Sequence, residues 1–276
     1  MAQKNNFPFS YPFRLVTISI GYSSYFIAIV IFLCLGLPLL LIISLCPGLM
    51  KKAMYRILKM YSFFLTRIWL PLLGVYSIAE ISGYDKKNME NSIFIANHRG
   101  KLDALLLLSL LPETGILIKP KYCRLPLYST FVKYLDFIRA DSHSIKGVAE
   151  ALDRCRQILA KGINLLVFPE GTRGKQGVLM DFKEFAFKIA LETSRPIVPV
   201  IIHTNWPFMA RTAGSLYPKY RLQYTVRFLP PCPAMPDERT SDYADRIHDT
   251  MKNVLEELDK NTYWERKPSR TKPEQP

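Results

Sequence analysis

What the chain lacks narrows its chemistry. Its five cysteines, at positions 34, 46, 123, 155 and 232, form no CxxC pair and make an odd total, which disfavours both a disulfide framework and a zinc site. Reduced structural thiols are the expected state. No GxxxxGKS, GxSxG or HExxH run occurs, so phosphate-loop nucleotide hydrolysis, serine-esterase chemistry and metalloprotease chemistry lack their parts. Of the four histidines, His143, His203 and His248 have no ligand-spaced partners and read as solvated or core residues rather than metal ligands. There are no internal repeats.

A second absence is local. No charged side chain occurs between Arg14 and Lys51, and Phe26 to Leu45 is almost wholly aliphatic or aromatic. A helix needs only about 20 such residues to cross the hydrocarbon of a bilayer. A cleaved signal peptide fits poorly, because the apolar run is too long and no small-x-small cleavage site follows it. A lipoprotein reading of Ile43-Ser44-Leu45-Cys46 fails on the bulky Leu before the cysteine. Residues 1–50 are therefore expected to be a membrane anchor, spanning or re-entrant, since Gly36-Leu37-Pro38 could kink or break the helix. Lys51, Lys52, Arg56, Lys59 and Arg67 crowd the C-terminal flank against Lys4 and Arg14 before it, so the positive-inside rule puts the remainder on the cytoplasmic side.

What is present is core and positive charge. At 276 residues with 49% hydrophobic side chains, the chain can bury a real core, which excludes a disordered or fibrous protein. A formal net charge of +14 calls for an acidic partner: nucleic acid, anionic lipid headgroups or a phosphorylated substrate. Basic residues among aromatics, as in Lys219-Tyr220-Arg221, could suggest nucleic acid. In a membrane-anchored chain they point to anionic lipid instead, and no nucleic-acid partner is expected.

Residues 51–74 read as an amphipathic helix. Met54, Ile57, Leu58, Tyr61, Phe64, Leu65 and Ile68 recur at helical spacing opposite Lys52, Arg56 and Lys59. Such a helix either lies in a lipid interface or packs on the globular domain, and the two are compatible if the domain sits on a membrane. From residue 75 to 262, short β-like runs alternate with helical ones. Strands are expected over Ser92–Ala96, Gly115–Ile118, Asp136–Arg139, Ile163–Phe168, Ile197–His203 and Arg221–Leu229. Helices are expected over Asp103–Leu111, Leu127–Tyr134, Ser144–Lys161, Phe182–Thr193 and Ser241–Lys260. Such alternation implies an α/β fold with a mixed, largely buried sheet flanked by helices. The basic, proline-rich tail, residues 263–276, is expected to be disordered.

Two runs carry chemistry. In Asn97-His98-Arg99-Gly100-Lys101-Leu102-Asp103, an apolar strand ends at the histidine and an apolar helical run begins at the aspartate. On one continuous helix, residues five apart sit about 140° from each other, so the pair could not meet. If Arg99 to Leu102 form a strand-to-helix turn, the carboxylate can hold the imidazole in one tautomer and stabilise the imidazolium, as a general base requires. Taken alone, Asp103 could as well be the N-cap of the following helix. The second run, Phe168-Pro169-Glu170-Gly171-Thr172-Arg173-Gly174, follows a buried strand, so its polar residues emerge where α/β sheets bind ligands. Gly171 and Gly174 permit close backbone approach, Thr172 offers a hydroxyl and Arg173 a forked cation suited to phosphate oxygens. Glu170 could orient that arginine or bond a substrate hydroxyl. A solvated glycine-rich turn is the plain alternative.

Together the two runs resemble the signature of the glycerolipid acyltransferases, the lysophospholipid acyltransferase superfamily that includes the 1-acyl-glycerol-3-phosphate acyltransferases. Lys119, seven residues before Pro126, with Arg139 at the end of the next strand, is similar to the family's second block, and Ile197-Val198-Pro199-Val200 to its fourth. The resemblance runs over roughly residues 80 to 235. It implies that His98 is the catalytic base and Asp103 its orienter. It implies further that Glu170, Gly171, Thr172 and Arg173 bind the acceptor phosphate, with Lys119 and Arg139 assisting. The reaction implied is transfer of a fatty acyl group from acyl-CoA or acyl carrier protein to the free hydroxyl of a lysophospholipid, most simply 1-acyl-glycerol-3-phosphate, giving phosphatidic acid. It requires no cofactor and no metal. Another lysophospholipid acceptor, or an idle lipid-binding protein on the same fold, are the alternatives. Departures from the family pattern bear on the acceptor. They are Arg99-Gly100-Lys101 where a small hydroxyl residue is usual, Pro120-Lys121-Tyr122 where Glu-Leu follows the lysine, and Phe182-Lys183-Glu184-Phe185 for Phe-Lys-x-Gly.

Overall fold

A computed structural model of the chain describes residues 11–31, 47–125, 134–141, 144–174, 178–206 and 222–260, together with the isolated positions 34, 36, 38, 129, 132, 208 and 217. Most of the helix expected over Leu127–Tyr134, the Lys219-Tyr220-Arg221 patch, Cys46, His143 and the tail at 263–276 lie outside the described residues.

Seven strands form one sheet: β1 (Tyr76–Ser82), β2 (Ile93–Ala96), β3 (Thr114–Ile118), β4 (Phe137–Arg139), β5 (Asn164–Val167), β6 (Ile197–Thr204) and β7 (Leu222–Phe228), in the spatial order β1-β7-β6-β2-β5-β3-β4. Every neighbouring pair is parallel except β6 with β7, so the sheet is mixed, as the alternating pattern implied. Its central strands are covered on both faces. All four residues of β2 are buried, and successive side chains feed opposite cores: Phe94 and Ala96 one, Ile93 and Ile95 the other.

On the face taken by Ile93 and Ile95 lie three amphipathic helices. The first of these, Ile145–Ala160, starts where the Ser144 hydroxyl accepts from the Gly147 amide at 3.0 Å and so caps the helix. Phe185–Thr193 begins three residues later than its apolar pattern suggests, and Thr240–Lys260 closes the domain.

The opposite face carries the N-terminal elements: α1 (Tyr11–Ile31), α2 (Pro47–Phe63) and α3 (Asp103–Leu110), with the three helices of the first face following as α4, α5 and α6 in chain order. Helix α2 opens at Pro47, a residue preorganised for a first turn, and passes into a π-helical turn at Phe64–Trp69. The stripe of apolar residues read along it divides in two. Met54, Leu58 and Leu65 are buried in the core, where each contributes about 1.5–3 kcal/mol, while Ile57, Phe64 and Ile68 face outward. Lys51 turns onto Asp136 at 2.8 Å and the exposed Lys59 donates to the Leu111 carbonyl at 3.1 Å, while Lys52 and Arg56 are exposed.

Helix α1 seats on the segment after the π turn. A Cβ on Gly21 would lie 3.2 Å from Leu70 Cδ2, and Trp69 Nε1 donates to Ser24 Oγ at 2.6 Å. The uncharged stretch expected to be helical over Phe26–Leu45 shares Phe26 to Ile31 with this helix, and most of the rest lies outside the described residues. Among the described residues, no helix is long and apolar enough to cross a membrane. Edge strand β1 escaped the sequence reading altogether. Only its first residue is fully buried, and its register against β7 shifts between Ile78 and Glu80.

Candidate active site

Because β2, β5, β3 and β4 run parallel, their C-terminal ends share one edge of the sheet, and each delivers one of the polar runs read from the sequence. His98 follows β2, Glu170 to Arg173 follow β5, Lys119 follows β3, and Arg139 ends β4. This is the edge at which α/β sheets place ligands.

The turn from β2 into α3 brings His98 and Asp103 together. Asp103 opens α3, yet its carboxylate points back rather than forward along the helix. One oxygen, Oδ2, is shared by His98 Nδ1 at 2.9 Å, the Arg99 amide at 2.6 Å and the Gly100 amide at 2.7 Å. The aspartate is fully buried and the imidazole is partly open to solvent, with 22% of its side chain exposed. An oxygen that already receives two backbone amides meets the imidazole as an acceptor, so Nδ1 carries the proton of the shared bond and Nε2 is left as an acceptor. Gly100 is required here, because a Cβ would lie 2.5 Å from the Phe208 carbonyl oxygen. Asn97 fixes the other side of the histidine. Its side chain donates to the Ile202 carbonyl at 2.8 Å and accepts from the Ile202 amide at 2.7 Å, riveting the turn to β6.

The second turn is bonded to the first. Glu170 Oε1 accepts from the His98 amide at 2.7 Å, Oε2 accepts from the Met180 amide at 3.2 Å, and the Gly174 amide donates to the His98 carbonyl at 2.8 Å. Phe168 lies against the imidazole with ring centroids 4.5 Å apart. Burial pushes the Glu170 carboxyl above the ordinary carboxylate range, opposed by the two backbone amides and by Arg99 and His98. Glu170 was expected to orient Arg173 or to meet a substrate hydroxyl. Its side chain is instead buried and both oxygens are engaged by backbone, so it acts as a clamp between the two turns.

Gly171 adopts φ +63°, which lets the backbone bend at the strand end, and Thr172 and Arg173 continue the turn half-buried. Lys119 and Arg139 stand at the same edge on the next two strands, paired through the Ile118–Arg139 register, but Arg139 is 59% exposed and turned onto Asp141 at 3.0 Å. The sequence reading missed Lys183. Its amide donates to the Pro169 carbonyl, and its side chain crosses Gly171, so that a Cβ there would come within 3.2 Å of Nζ. Residue 183 falls in the block compared with the family, so the signal was present, but only the loss of the glycine after it was used.

Residues 79–203 match the family model described as Acyltransferase, a span holding both turns. Over that span the chain is similar to the acyltransferases, as the four blocks implied. It is 27% identical over 209 residues to a protein from Cocos nucifera named 1-acyl-sn-glycerol-3-phosphate acyltransferase, covering 73% of this chain and 65% of that one. It is 26% identical over 151 residues to a chloroplastic protein of the same name, BAT2, from Brassica napus, covering 53% and 44%. The chain thus spans less than two thirds of either relative. The crystal structure of the 1-acyl-sn-glycerophosphate (LPA) acyltransferase PlsC from Thermotoga maritima shares the fold, with a TM-score of 0.68 at 19% identity over 90% of this chain and 98% of that one.

Proposed function

We propose that this chain transfers a fatty acyl group from an acyl thioester, on coenzyme A or acyl carrier protein, to the free hydroxyl of 1-acyl-glycerol-3-phosphate, giving phosphatidic acid. The observation that carries the reading is the 2.9 Å bond between His98 Nδ1 and Asp103 Oδ2, held beside the turn that ends in Arg173. With Nδ1 committed to Asp103, His98 Nε2 accepts the hydroxyl proton as the oxygen attacks the thioester carbonyl. The carbon–oxygen bond forms, the tetrahedral intermediate collapses with loss of the carbon–sulfur bond, and the imidazolium returns the proton to the departing thiolate. Asp103 stabilises the imidazolium during its lifetime. Arg173, with the Gly171 and Thr172 backbone and Lys119 and Arg139 at the same edge, takes the acceptor phosphate. The names borne by the coconut and Brassica relatives favour this acceptor.

The acceptor is insoluble in water, so the reading includes a lipid surface, with the site on the cytoplasmic side. In its support, α1 exposes Phe26, Ile27, Val30 and Ile31, and α2 with the following turns exposes Met60, Phe63, Phe64, Ile68 and Leu72, among the cations Lys52 and Arg56. Such a surface suits the headgroup boundary of a bilayer. The test is release of free thiol from an acyl thioester by purified protein across a panel of lysophospholipids. Turnover with 1-acyl-glycerol-3-phosphate and not with uncharged or choline headgroups supports the acceptor. Preference for another lysophospholipid moves the assignment to it, and no thiol release with any acceptor leaves a lipid-binding protein.

A further inference from the structure

Beside His98, on the side away from Asn97, three buried ionisable side chains meet outside the chemistry described so far. Arg99 Nη2 lies 3.6 Å from Asp259 Oδ2, and Asp259 Oδ1 lies 3.0 Å from His203 Nε2, with side-chain exposures of 8%, 5% and 7%. Asp259 is the penultimate residue of α6, where the negative end of the helix dipole disfavours a carboxylate. Burial of an anion at that position is costly unless ionisable partners stand beside it, and Arg99 and His203 do so at ion-pair distance, without hydrogen-bond geometry at Arg99 Nη2, His203 Nε2 or Asp259 Oδ1. His203 adjoins Ile202, the residue of β6 that Asn97 grips. Strand alternation sends the Ile202 and His203 side chains to opposite faces of the sheet, His203 toward α6.

The two neighbours of His98 are therefore both tied down, Asn97 to the β6 backbone at Ile202 and Arg99 to the end of α6. Arg99 is doubly committed. Its amide is one of the donors to Asp103 Oδ2, while its guanidinium faces the end of α6 at ion-pair distance and lies close enough to Glu170 to favour that carboxylate's ionised form. A displaced guanidinium moves the backbone that carries the Asp103 bond.

Resting on the proposed acyl transfer, we infer that Asp259 is a positioning residue for the His98–Asp103 pair, acting through Arg99 with His203 as its brace. The end of α6 thereby becomes part of the catalytic apparatus, although it touches no substrate. Its role is to hold the imidazole at one angle to Asp103 through the reaction, so its loss reduces turnover rather than acceptor affinity.

The test uses the full chain and the variants Asp259→Asn, Arg99→Lys and the double substitution, with Glu256→Gln, on the exposed side of the same helical turn, as control. Expected are a kcat at least tenfold lower for Asp259→Asn with both KM values within twofold, a similar fall for Arg99→Lys, and a double variant no worse than the weaker single one. Circular dichroism at the assay temperature reports the folded fraction, and the fall in kcat exceeds any loss of it. A readout without turnover is the low-field imidazole proton of the His98–Asp103 bond in protein labelled with nitrogen-15 histidine. Asp259→Asn shifts or broadens it, and Glu256→Gln does not. An unchanged kcat and an unchanged proton signal in folded Asp259→Asn overturn the inference. So does a rise in acceptor KM at constant kcat, which makes Arg99 a substrate ligand. Absence of thiol release by the unaltered protein counts against the proposed function alone, and the proton signal then decides the positioning role.

Discussion

Asp103 Oδ2 lies 2.9 Å from His98 Nδ1 and takes the Arg99 and Gly100 amides at the same atom, so a single buried oxygen sets both the shape of the turn and the tautomer of the imidazole. An amide oxygen at that position would lack the charge that stabilises an imidazolium. His98→Ala is expected to lower kcat by roughly 10²–10⁴-fold, the usual worth of a positioned general base. Asp103→Asn is expected to fall in the same range while circular dichroism stays that of the parent. Thiol-release kinetics check both, and a variant of either kind retaining parental kcat removes the general-base mechanism.

Glu170 offers a test by acidity. Its carboxyl sits above the ordinary range because burial disfavours the charge, despite the two amides that bond it. A carboxyl whose folded value is raised stabilises the fold fully below its unfolded value and loses that contribution as pH rises through the folded one. Glu170→Gln cannot titrate, and its amide nitrogen faces a backbone donor that the carboxylate satisfied. The variant is expected to melt below the parent by a margin that is widest near pH 4 and narrows toward pH 7. Calorimetry of both proteins across that interval decides, and a margin that widens with pH contradicts the assigned direction.

The turn proposed to take the acceptor phosphate bears on substrates rather than stability. A hydrogen bond to a charged group is worth about 1.5–3 kcal/mol, so Arg173→Ala should raise the acceptor KM by about 10- to 100-fold. The thioester KM should hardly move. Lys183, exposed and lying across Gly171, should show a smaller effect in the same direction when changed to alanine, a few-fold at most. Equal changes in the two KM values would assign Arg173 to the fold.

The parts of this molecule that sequence pattern conveys are those made by continuous or periodic burial. Ile93–Ala96 and Asn164–Val167 read as strands because both faces are covered, and α4 reads as a helix because one face is. Tyr76–Ser82 did not, since an edge strand with mixed burial carries no such run. The stripe on α2 was legible but its partner was not. Met54 and Ile57 are equally apolar, and only the position of α3 decides that the first is buried and the second is not. At the site, the His98–Asp103 spacing pointed to a bond across five residues. The Glu170 to His98 amide bond spans 72 residues, and the Arg99, Asp259 and His203 group joins three separate elements, so neither leaves a local pattern.

The outward half of that stripe leads to the last prediction. Met60 and Phe63 are 70% and 47% exposed on α2, on a surface continuous in sequence with Phe64, Ile68 and Leu72. Neither packs in the core, so Met60→Glu with Phe63→Glu should leave the melting temperature close to that of the parent. If the face enters a bilayer, each side chain contributes about 1.5–3 kcal/mol of burial there, and the double variant should bind vesicles more than about tenfold more weakly. Charge adds a separable part. Lys52, Arg56 and Lys59 are exposed, but Lys59 donates to the Leu111 carbonyl and Lys51 is turned onto Asp136, so the larger part of the salt-sensitive attraction to anionic vesicles should reside in Lys52 and Arg56. Binding of the parent should weaken as ionic strength rises past about 0.1 M, where screening acts within about 10 Å, and binding of the Lys52→Gln, Arg56→Gln variant should respond less. Vesicle sedimentation with and without anionic lipid separates the two parts. Parental binding by the glutamate variant would detach α2 from the membrane.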